Sequence, residues 1–85
     1  MGYQVREMYY KKELAILEQY EQYFKTAIQS GYMRNLTTTQ AKEIHRIYER
    51  AIGQKYPMCF TCGHSKLKLL QDAGSLYFKQ KNIEI

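Results

Sequence analysis

Apolar residues recur along most of this 85-residue chain with the period of a helix. From about residue 4 to 30 the composition is rich in helix formers, and Ile16, Leu17, Tyr20, Tyr23, Phe24, Ala27 and Ile28 fall on one arc, with Leu14 at its edge. Lys11, Glu18, Gln22, Lys25, Thr26 and Gln29 fall opposite, and Gly31 supplies a left-handed stop. At 1.5 Å per residue such a helix is about 40 Å long, more than either of its successors, so its first turns are expected to overhang the core. A second helix is predicted over 37–52: Thr37 and Gln40 have the spacing of a capping box. Ala41, Ile44, Ile47, Tyr48, Ala51 and Ile52 form its apolar stripe, and Gly53 ends it. A third is predicted over 59–79, burying Leu67, Leu69, Leu70, Ala73, Leu76, Tyr77 and Phe78. Gly63 and Gly74 fall on that same side, where a missing side chain suggests close approach of another helix. The expected architecture is a single all-α domain over 1–85, a compact three-helix bundle with a long N-terminal helix overhanging the core.

A chain this short buries only roughly 60–65% of its unfolded surface, so a partner, a metal or oligomerisation is a plausible aid to stability. Nine Tyr, three Phe and no Trp favour side chains that are half buried and half presented, a composition suited to interfaces. The N-terminal Tyr3, Met8, Tyr9 and Tyr10 follow no single stripe, which marks them as a candidate contact surface for other proteins in an oligomer or larger assembly. Ile83 and Ile85 alternate in a strand-like tail and are candidates for edge pairing with a partner. No apolar run is long enough for a membrane span, and the first residues lack the order of a signal peptide; an intracellular protein without membrane contact is expected.

The net charge of +5 is unevenly placed. Residues 1–33 sum to zero, and nine Lys and Arg stand against four Asp and Glu after Met33. Arg34, Lys42, Arg46, Arg50, Lys55, Lys66 and Lys68 are therefore candidate phosphate contacts for a nucleic-acid-binding role. Their wide spacing favours the plainer reading, a solvated helical surface.

Both cysteines lie in Cys59-Phe60-Thr61-Cys62-Gly63-His64. Two thiolates at this spacing resemble one knuckle of a zinc ribbon, and a Cys2His2 zinc site would require His64 and His45 as well. The second knuckle is missing, and a helix running from residue 59 points His64 away from Cys62. A dithiol at a helix start also suits redox chemistry, because thiolate is favoured by free amides and the helix dipole. No strand-helix-strand context accompanies it. The plainest expectation is that Cys59 and Cys62 pack as small apolar residues at the start of the third helix. Paired carboxylates in an apolar setting, a glycine-rich phosphate loop, and a serine beside a base are all missing, so no enzymatic activity is expected.

The run from Leu36 and Thr37 through Ile44, Ile47, Tyr48, Ile52 and Gly53, then Cys59-x-x-Cys62 and a leucine-rich helix ending in Tyr77, resembles small uncharacterised CxxC-containing proteins of tailed phages, crAss-like phages included, and of mobile elements of Bacteroidetes. The resemblance covers about residues 36–78. It implies a virion or assembly accessory role, in the virion or the bacterial host cytoplasm; it carries over no activity to particular residues and decides nothing about metal.

Overall fold

The computed structural model describes residues 8–33 and 35–82. Its helices are α1 (Lys11–Leu17), α2 (Glu21–Ser30), α3 (Thr38–Ile52) and α4 (Gly63–Lys81), with a 3₁₀ turn (Glu18–Tyr20) joining α1 to α2. α1, the turn and α2 make the first rod of an all-α three-helix bundle, α3 the second and α4 the third. None of the described helices is long and apolar enough to cross a membrane.

The first rod differs from its expected form at its start. Tyr10 is the extended N-cap residue (φ −74°, ψ 159°), and the Glu13 carboxylate accepts its backbone N–H at 3.2 Å, so the helix begins at Lys11. Residues 8–10 do not overhang the core. They run against α4, where Gln80 grips the Tyr9 backbone at both ends: the Tyr9 N–H donates to Oε1 at 2.6 Å and Nε2 donates to the Tyr9 carbonyl at 2.8 Å. The Tyr9 ring is buried, and its hydroxyl donates to the Ala73 carbonyl at 2.8 Å.

The predicted apolar arcs supply the core. Leu17, Tyr20, Phe24 and Ala27 from the first rod meet Ala41, Ile44 and Ile47 of α3 and Leu69, Leu70, Ala73 and Tyr77 of α4. The widest packed interface lies between α2 and α4, and Gly74 makes it possible. A Cβ there would stand 2.6 Å from Phe24 Cβ and 2.9 Å from its Cγ. The close approach expected of two glycines thus occurs at Gly74 alone; Gly63 is exposed and opens the helix, with Met33 Cε 3.9 Å from where its Cβ would stand.

α3 carries the capping box expected of Thr37 and Gln40: the Gln40 N–H donates to Thr37 Oγ1 at 3.1 Å, and the Thr37 N–H donates to Gln40 Oε1 at 3.0 Å. Gly31 and Gly53 take the left-handed conformation that stops α2 and α3 (φ 64° and 69°). α4 starts four residues later than expected, at Gly63, and runs two further, to Lys81, with Asn82 as its left-handed cap (φ 58°). The connection before it is firmly attached. Tyr56 pins that connection to the bundle: its N–H donates to Glu49 Oε2 at 2.8 Å, and its hydroxyl donates to Asp72 Oδ2 at 2.5 Å. Its ring meets Tyr48 edge to face at 5.1 Å, and its carbonyl accepts from His45 Nε2 at 2.6 Å. After this anchor the chain turns at 59–62 and enters helix at Gly63.

Candidate functional site

Cys59 and Cys62 are both exposed, which overturns the expectation that they pack the start of a helix. They occupy a tight turn closed by the Cys62 N–H donating to the Cys59 carbonyl at 3.3 Å, with Cys62 as the extended N-cap residue of α4. Phe60 between them anchors the turn, its ring edge-on to His45 at 5.0 Å and 5.8 Å from Lys42 Nζ. On the outer side the sulfurs touch: the Cys62 thiol donates to Cys59 Sγ at 2.8 Å, and Thr61 Oγ1 lies 3.3 Å from the same sulfur. Those hydrogen bonds, that of Cys62 first, bring the Cys59 thiol down to about 7 from its ordinary value of 9.0. The Cys62 thiol is pushed up, chiefly because it supplies the proton of that bond. The two thiols are chemically unequal although both are open to solvent.

The nitrogens expected to complete a Cys2His2 set are not gathered with them. His64 is exposed in the first turn of α4, and His45 is half-buried with Nε2 committed to the Tyr56 carbonyl and 3.4 Å from Glu49 Oε2. Among the described residues no three His, Cys, Asp or Glu side chains are placed to hold a metal ion. That Tyr56 and Glu49 fix His45 was not read from the sequence; the i, i+4 spacing of His45 and Glu49 was the available sign.

A second candidate lies between α1 and α3. A cavity of about 380 Å³ has Tyr10, Lys12, Glu13 and Ile16 on one wall and Arg46, Ile47 and Arg50 on the other. Arg46 and Arg50 also line an adjoining shallow depression of about 490 Å³ with Glu49, Gln54 and Lys55. Glu13 is the buried charge of this region. Its carboxylate accepts from Tyr10 N–H and, at 3.1 Å, from Arg50 Nη1, which ties α1 to α3. Lys12, Arg46 and Lys55 have no carboxylate partner among the described residues, so four cations face two carboxylates along the groove.

This groove combines members of two sets that the sequence kept apart. From the N-terminal contact set it takes Tyr10, which is 62% exposed; Met8 is exposed too, whereas the burial of Tyr9 removes it from any contact surface. From the phosphate set it takes Arg46, Arg50 and Lys55. Three others of that set are engaged elsewhere: Lys42 covers Phe60, Lys66 donates to the Leu36 carbonyl at 3.0 Å, and Lys68 lies 3.9 Å from Asp72. Tyr3, Arg34, Ile83 and Ile85 lie outside the described residues. Tyr32, at the end of α2, is as exposed as Tyr10 and was not singled out from the sequence.

Comparison with known proteins adds no relative: no protein-family model, no curated protein and no solved structure matches the chain.

Proposed function

We propose that this is a small non-enzymatic interaction protein that docks an acidic segment of a partner protein in the groove between α1 and α3. The observation that carries the reading is the meeting of exposed Tyr10 and Lys12 with Arg46 and Lys55, three of them cations without a counter-charge among the described residues. Tyr and Arg are the side chains that interfaces favour, and unpaired cations beside an aromatic face suit a carboxylate-bearing chain. An accessory or virion role, implied by the resemblance noted above, is a setting in which such docking would serve.

Nucleic acid is the second reading, favoured by the charge of +5 and by a tyrosine ring beside the cations. The protein reading is preferred because the cations form one short groove interrupted by Glu13 and Glu49, while Lys42, Lys66 and Lys68 are engaged outside it. A phosphate backbone is better tracked by a continuous stripe.

Fluorescence anisotropy with a labelled glutamate-rich peptide and a labelled single-stranded oligonucleotide, each over a range of salt, tests both readings. The peptide is expected to bind, and Arg46→Glu to weaken it about tenfold or more, equivalent to at least about 1.4 kcal/mol. Tighter binding of the oligonucleotide with a steep salt slope would transfer the groove to nucleic acid. Binding of neither probe, or indifference to Arg46→Glu, would remove the groove as a docking surface.

A further inference from the structure

The dithiol turn is separate from that groove and calls for its own explanation. Packing does not account for it, since both cysteines are exposed, and neither histidine joins them in a ligand set. What remains is a pair of thiols in contact on a turn anchored to α3 through Phe60. The turn hydrogen bond and the anchoring of Phe60 against His45 fix the backbone, and the two sulfurs meet on its open side. Cys59 accepts the hydrogen bond that Cys62 donates, an arrangement that stabilises a thiolate at Cys59 and divides the roles of attacking and resolving sulfur between them.

We propose that Cys59 and Cys62 form a dithiol–disulfide exchange site for low-molecular-weight disulfides, with Cys59 as the attacking sulfur and Cys62 as the resolving one.

The Cys59 thiolate attacks one sulfur of a disulfide RSSR; the S–S bond breaks, and RS⁻ leaves and takes up a proton as RSH. Cys62 then gives its proton to solvent, and its sulfur attacks that of Cys59 in the mixed disulfide, expelling the second RS⁻, which is protonated in turn. The sum is protein dithiol plus RSSR giving protein disulfide plus two RSH. Two electrons pass from the protein sulfurs to the small molecule, and excess thiol drives the reverse. Because the sulfurs already touch, ring closure needs no rearrangement of α3 or α4.

The test uses the full chain in mixtures of reduced and oxidised glutathione, quenched by alkylation and read by mass spectrometry. The expected product is an intrachain Cys59–Cys62 disulfide, with Cys59 alkylated at least tenfold faster than Cys62 in the reduced protein. Cys62→Ser is expected to accumulate glutathione on Cys59, and Cys59→Ser to form an adduct at least tenfold more slowly. Disulfide-linked dimers as the main product, or equal reactivity of the two thiols, would overturn the proposal. So would one equivalent of zinc, co-purifying with the reduced chain, that blocks both thiols until a chelator is added.

Discussion

At Gly74 one hydrogen atom decides how closely two helices meet. The nearest obstruction to a Cβ there is Phe24 Cβ at 2.6 Å, an atom fixed to the α2 backbone that cannot swing aside, followed by Phe24 Cγ at 2.9 Å and Ile28 Cδ1 at 3.2 Å. Gly74→Ala is therefore expected to destabilise by about 1–3 kcal/mol, against a helix-propensity gain of up to about 1 kcal/mol. Gly63→Ala, whose nearest neighbour is Met33 Cε at 3.9 Å, is expected to cost nothing comparable. Urea unfolding of the two variants beside the parent checks the contrast, and an unperturbed Gly74→Ala would mean that α2 and α4 are less closely set than described. The importance of Gly74 was visible in the sequence as a glycine inside an apolar arc. That Gly63 shares no such role was not, because its reading depended on a helix already under way at residue 59. The exposure of both cysteines escaped for the same reason: one misplaced start rotates every residue assigned to the first turn.

The elements themselves were legible where local signals agree. α3 shows this best, with a capping box, an i, i+3, i+4 stripe and a terminal glycine all contained within its own stretch. The 3₁₀ turn in the first rod left no such mark, since its residues are as apolar and polar in alternation as those of the helix around it. Tyr20 at its end reaches across to α3, where its hydroxyl donates to Glu43 Oε1 at 2.8 Å. Burial, reinforced by that hydrogen bond, pushes the Tyr20 phenol up to about 12 from its ordinary value of 10.0. The folded chain then holds this proton more tightly than the unfolded chain does. Its contribution to stability is complete below pH 10 and is lost as pH rises through 12. Tyr9 and Tyr56 are raised by burial as well and add to the same alkaline slope. Urea midpoints measured from neutral pH upward should fall above pH 10, and less steeply in Tyr20→Phe; equal slopes would show that this phenol does not contribute.

Across the whole molecule, an all-α three-helix bundle could be read from the periodicity because each rod carries its own buried stripe. Contacts between distant segments could not be, because nothing local encodes them. The region 8–10 looked like a projecting helical end for want of a stripe, whereas it lies along α4 through Gln80, a residue with no distinguishing neighbourhood in the sequence. The basic groove has the same origin: Arg46 and Arg50 belong to one predicted set and Tyr10 to another, and only the docking of α1 on α3 through Glu13 brings them together.

The Gln80 clasp has a kinetic side. Its two hydrogen bonds join residues 71 positions apart, whereas the contacts within each rod close loops of a few residues. Closing so long a loop carries an entropic cost that is met only once the intervening chain is already compact, so the clasp is expected to form after the folding barrier has been crossed. Gln80→Ala should then accelerate unfolding by the full amount of the lost stability, leaving the refolding rate within experimental error of the parent. Stopped-flow chevrons of the two proteins separate the limbs, and a slowed refolding limb would instead place the strap formed by residues 8–10 in the folding nucleus.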